Sequence, residues 1–182
     1  MKKSVLLVLM MLILGGPVAA VTAKEIFVSG IVNGENQHRF DPKPSSSQYL
    51  RTKKGGFNIS EYGARYYCMW DIIKAHPDTM YARVELFNPA NRRVPIVEEG
   101  VITPSNDALY ITTPPISDFK MLEIYQIKVF LYKDKNKAVM IDHLEQNIKS
   151  HIDTQDGQII ADRGFVTAAG EDINAALHKL NN

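Results

Sequence analysis

From Glu123 to Tyr132 (EIYQIKVFLY) the side chains alternate, with Tyr125, Ile127, Val129 and Leu131 on one face and Gln126 and Lys128 on the other. A helix of 3.6 residues per turn would scatter these positions around its axis. Only an extended strand with a period of two gathers them on one side. The same period recurs in Tyr62–Ile73, where Tyr66, Cys68, Trp70 and Ile72 share a face, and in Met80–Phe87 and Ala108–Thr113. Val94–Val97 and Val101–Thr103 read as short strands around a turn at Glu98-Glu99-Gly100. Turn residues such as Asn88-Pro89 and Pro114-Pro115 punctuate these runs. About seven short strands with frequent turns predict a mainly β fold, an antiparallel β-sandwich or barrel.

The strand at Glu123–Tyr132 leads into a hairpin. Lys133-Asp134-Lys135-Asn136-Lys137 forms the loop, and the chain returns as Ala138–Ile152, with Leu144, Ile148 and Ile152 opposed to His143, Glu145, Asn147, Lys149 and His151. A first strand at Glu25–Asn33 is followed by a polar stretch, residues 34–56, which reads as a long loop or one hiding a short strand near Gln48–Thr52. The sandwich domain is expected over residues 24–152. In the extension 153–182, Ile173, Ala176, Leu177 and Leu180 predict a helix at about 171–180. A helix that short is marginal alone in water and must dock. The run Tyr62–Ile73 is apolar on both faces, because Tyr67, Met69 and Ile73 oppose the set named above. Something is therefore expected to cover its second face, either the C-terminal helix lying on Tyr67 and Met69 or a partner protein.

The order of these strands, Trp70 within YYCMWDI, and Leu122–Tyr132 with its KDKNK loop resemble immunoglobulin-like sandwich domains of bacterial exported proteins. The resemblance covers roughly Glu25–Ile152 and is at the level of the fold. It implies that Tyr125 is a corner tyrosine, its hydroxyl tied to upstream backbone. The chain departs from antibody domains in lacking both cysteines of the inter-sheet bridge, with Ile127 where the second would stand.

The amino terminus bears on compartment. Lys2-Lys3 precede ten consecutive apolar residues, Val5–Leu14, then Gly15-Gly16-Pro17 and small residues. This is the pattern of a cleavable secretory signal over residues 1–23. Cleavage is expected after Ala23, with Val18-Ala19-Ala20 a second fit. The apolar run is half the length of a spanning helix. A periplasmic or secreted location follows as the expectation. Cleavage leaves about 159 of 182 residues, and removing two lysines takes 21 basic and 20 acidic side chains to a net charge near −1. That balance gives no footprint for nucleic acid. The single cysteine, Cys68, excludes an internal disulfide, and its place between Tyr66 and Trp70 predicts burial.

No motif carries chemistry. The five histidines form no His-x-His or HExxH pair. His143 and His151, eight residues apart on one expected strand, would stand roughly 26 Å apart. No cofactor, metal or catalytic set is expected. The reading is a non-enzymatic binding or accessory module of the envelope that contacts another envelope protein through a sheet edge, end loops or the Tyr67, Met69, Ile73 surface. The alternative is a small-ligand binder or enzyme with a loop-assembled site, for which His38, Asp41, Glu98, Glu99 and His143 are the candidates.

Overall fold

The computed structural model describes residues 26–29, 45–154, 158–162 and 172–180. The signal segment, its cleavage site near Ala23, and the loop residues His38 and Asp41 lie outside them. Among these residues ten strands and one helix follow in chain order: β1 (Ile26–Ser29), β2 (Leu50–Ser60), β3 (Gly63–Ile72), β4 (Met80–Leu86), β5 (Ile96–Ile102), β6 (Ala108–Thr112), β7 (Ile124–Tyr132), β8 (Met140–Lys149), β9 (Ile152–Asp153), β10 (Ile160–Ala161) and α1 (Ile173–Leu180). Eight strands form two four-stranded sheets, ordered β1-β2-β3-β6 and β5-β4-β7-β8, and β9 and β10 form a small ribbon. All pairings are antiparallel. The fold is mainly β, as the alternation predicts.

The two sheets pack face to face because alternate residues of each are apolar. Phe57, Tyr66, Cys68 and Trp70 of the first sheet and Val84, Tyr125, Ile127 and Leu131 of the second belong to one buried cluster. Phe119, on the connection from β6 to β7, closes one end of that core. Its ring lies 4.8 Å from Phe57 and 5.1 Å from Tyr66, both edge-on. Such side chains each contribute about 1.5–3 kcal/mol by burial. Polar atoms inside the sandwich are paired across it. The Tyr66 hydroxyl donates to the Phe87 carbonyl at 2.9 Å, and the Trp70 indole N–H donates to Gln146 Oε1 at 2.9 Å. The Tyr125 hydroxyl accepts the Lys120 amide at 2.7 Å, five residues upstream.

Three expectations are corrected. The strand expected near Gln48–Thr52 is present but longer, since β2 begins at Leu50 and takes residues 53–56 out of the loop as well. A bulge between Thr52 and Lys54 shifts its register, so Leu50 and Thr52 face inward before it and Phe57 and Ile59 after it. Glu98-Glu99-Gly100 is not a turn. β5 runs through it, and Gly100 lets the sheets approach, since a Cβ there would meet Leu109 Cδ1 at 2.8 Å. The long return strand ends at Lys149, so His151 falls outside β8.

The helix also docks elsewhere than on Tyr67 and Met69. Its buried residues Ile173, Ala176 and Leu177 join the main core, and it touches β10 and β1. It closes the side of the sandwich where β1 lies and where the ribbon continues from β8. The Asp172 carboxylate caps it, accepting the Ala175 amide at 3.1 Å. Asn174 ties it to β10, exchanging two hydrogen bonds of 3.2 Å with the Ala161 backbone. The apolar stripe of α1 is thus used at the edge, which leaves the outer face of the first sheet without it. No helix among the described residues is long and apolar enough to cross a membrane.

Candidate partner-binding face

Antiparallel register sets which residues share the outer face of the first sheet. Phe27, Asn58 and Arg65 form one cross-strand row. Gly56, Tyr67 and Thr112 form the next, and Lys54, Met69 and Tyr110 the third. A fourth holds Arg51, Asp71 and Ala108. Phe27 and Tyr67 are half-buried and meet edge to face at 5.6 Å, 72° between planes. The Lys54 ammonium sits 5.9 Å from the Phe27 centroid. Met69, central in its row, is buried, whereas Tyr110 on the edge strand is 56% exposed. Ile73, just past the end of β3, is half-exposed, with its amide held by the Tyr49 carbonyl at 2.8 Å. Tyr67 and Met69 of the expected set therefore share this face, Ile73 follows just beyond its end, and Phe27, Lys54, Arg65 and Tyr110 extend it.

Charges on this face are unevenly matched. At the Asp71 end, Lys53 and Arg51 approach its carboxylate at 2.9 Å and 3.3 Å. The Lys53 hydrogen bond is the main reason that the Asp71 pKa falls below the usual range. The three rows from Phe27 to Tyr110 carry no carboxylate. Arg65 makes no ion pair among the described residues, and its Nε is shielded from solvent without an acceptor.

The outer face of the second sheet is the opposite case. Arg83 meets Glu85 at 3.0 Å, Lys128 meets Glu145 at 3.7 Å, and Lys137 meets Glu99 at 2.6 Å. The Lys137 hydrogen bond lowers the Glu99 pKa. This face also carries rings, since Tyr81, Tyr132 and Val101 share one cross-strand row and Phe130 lies in the next, but its charges are paired among themselves.

The edges of the second sheet are less available than the face. Along β8, Ser45 Oγ accepts the Glu145 amide at 2.8 Å. Nearby, Asp142 Oδ2 accepts from Ser47 Oγ at 2.5 Å and from the Gln48 and Tyr49 amides at 2.9 and 3.1 Å. Residues 45–49 therefore strap this edge to the start of β2. On edge strand β5, Glu98 lies on the core side opposite Val84, and an inward charge on an edge discourages a further strand.

The other predicted residues do not assemble. Glu98 and Glu99 project to opposite faces of β5 and cannot act as a pair. Among the described residues no group of three His, Cys, Asp or Glu is placed to hold a metal ion. Cys68 is fully buried, and loss of solvent pushes its thiol up to about 12, which suppresses the reactive thiolate. A concavity of about 700 Å³ opens beside the β2–β3 turn, lined by Ser60, Tyr62, Pro115, Ile116, Thr154 and Ile159 among others. Its hydroxyls serve the backbone: Ser60 Oγ accepts the Tyr62 amide and Thr154 Oγ1 accepts the Phe119 amide.

Fold and face together define a two-sheet antiparallel sandwich whose outer faces both carry aromatic rings, one with its charges paired and the other with cations that face no carboxylate. Comparison of the chain with family models, curated proteins and solved structures finds no match.

Proposed function

We propose that this chain is an exported, non-enzymatic binding or accessory module of the bacterial envelope, with an immunoglobulin-like sandwich that contacts another envelope protein through the outer face of its first sheet. The observation that carries the reading is the combination on that face of apolar side chains with cations that face no carboxylate. Phe27, Tyr67, Met69 and Tyr110 lie on the side of the sheet away from the core, where stability requires only polar residues, and aromatic residues with Arg are enriched where proteins meet. The leader segment supports export. Trp70 in the core and the tie between Tyr125 and the Lys120 amide support the immunoglobulin-like reading.

The test is co-purification of the tagged full chain from its native envelope. A stoichiometric envelope protein should accompany the wild type and be lost from a Tyr67→Ala/Tyr110→Ala variant whose circular dichroism is unchanged. A wild type that purifies alone, or a variant that keeps the partner, contradicts the reading.

A further inference from the structure

We infer that the occupant of this face is an acidic peptide segment of the partner, its carboxylates meeting Arg65 and Lys54 and its apolar side chains meeting Phe27, Tyr67 and Tyr110. The inference rests on the proposed protein-binding role and adds the chemistry of the partner. Its basis is the contrast between the two outer faces. The second sheet pairs Arg83, Lys128 and Lys137 with Glu85, Glu145 and Glu99. The first leaves Arg65 and Lys54 without a carboxylate in three successive rows. Glu61, in the turn beyond those rows, is engaged with the Tyr62 hydroxyl and raises its pKa.

Arg65 carries the argument furthest. Its Nε is enclosed without an acceptor, and its two terminal nitrogens, which make no hydrogen bond among the described residues, are the donors open to an incoming carboxylate. Arg65 sits in the same row as Phe27 and is two residues from Tyr67, so a carboxylate that reached it would be partly desolvated by aromatic rings. That setting strengthens a charge-assisted hydrogen bond. The ring geometry favours a peptide over an acidic polysaccharide. Phe27 and Tyr67 stand at 72° to one another and form no coplanar platform for stacked sugar rings, whereas separate side chains fit between crossed rings.

The experiment is selection of random short peptides displayed on phage against the immobilised full chain. The wild type should enrich peptides rich in Asp and Glu with interspersed apolar residues. Arg65→Gln/Lys54→Gln should bind the selected peptides tenfold or more weakly, roughly the loss of one charge-assisted contact. Arg83→Gln, on the self-neutralised face, should bind them as the wild type does. Neutral or basic selected peptides, or acidic peptides held equally by the double variant, overturn the inference. So does polygalacturonate binding more tightly than the peptides with the same dependence on Arg65, which would make the occupant a glycan. If co-purification depends on Tyr67 and Tyr110 but not on Arg65 and Lys54, the inference fails alone. If it depends on neither pair, the protein-binding role fails with it.

Discussion

Replacing Gln146 by Leu should destabilise the fold by about 2–4 kcal/mol, because one carbonyl oxygen serves two donors between the sheets. Gln146 Oε1 accepts the Trp70 indole N–H at 2.9 Å and the Thr52 hydroxyl at 2.6 Å. Trp70 is wholly buried, so its N–H would lose its acceptor with no water to replace it. An orphaned buried donor costs about 1–3 kcal/mol. Thr52 is only half-buried, so its hydroxyl can turn toward solvent and its share falls at the low end. Leu is close to Gln in size, so little of the loss should come from a cavity. Trp70 is the only tryptophan, so urea unfolding followed by its fluorescence reports directly on this site. The midpoint should fall with an unchanged slope. Adding Thr52→Val to Gln146→Leu should then recover part of the loss, since a second unpaired group is removed. A cost below about 1 kcal/mol, within the range of an ordinary exposed hydrogen bond, would refute the reasoning.

Cys68 predicts a loss of stability in alkali. Above its ordinary value near 8.5, the unfolded chain releases the thiol proton, while the buried thiol keeps it up to about 12. The unfolded state then binds fewer protons, so stability falls by about 1.4 kcal/mol per pH unit from this group. Burial raises Tyr66 and Tyr125 as well, steepening the decline at higher pH. Cys68→Ala should flatten the slope measured between roughly pH 9 and 11, and an unaltered slope contradicts the assignment. Gly100→Val should cost about 1–3 kcal/mol by overpacking against Leu109, and Leu109→Ala should return part of it in thermal unfolding. Asp142→Ala should free the strap, costing about 1–2 kcal/mol and speeding hydrogen exchange at the Gln48 and Tyr49 amides.

The hairpin of β7 and β8, the strands β3 and β4, and the burial of Cys68 and Trp70 are legible in the sequence because each follows an unbroken period of two. Only the start of β2, near Gln48–Thr52, is legible, and the rest escapes for a local reason. Its bulge at Lys53 exchanges the inward parity, and Gly55-Gly56 removes the side chains that would mark it. β5 is disguised by two carboxylates and a glycine in mid-strand, which resemble a turn until Leu109 is seen filling the space above Gly100. The apolar stripe of α1 shows that the helix must dock but not where, because the side of the sandwich it closes is assembled from β1 and β10, distant in sequence. The candidate face divides in the same way. Tyr67 and Met69 stand out because they make β3 apolar on both sides. Phe27, Lys54, Arg65 and Tyr110 join them only through the registers of three strand pairings, which no local pattern encodes.

The most direct test of the account places a photoreactive phenylalanine analogue at Tyr110 or at Val101 in cells that make the full chain. The two positions are 56% and 59% exposed, on the outer faces of edge strands in opposite sheets. Equal accessibility makes each the control for the other. Irradiation should yield a discrete adduct with an envelope protein from position 110 and none from position 101. An adduct from 101 alone, or no adduct from 110, would contradict a partner-binding role for the first sheet.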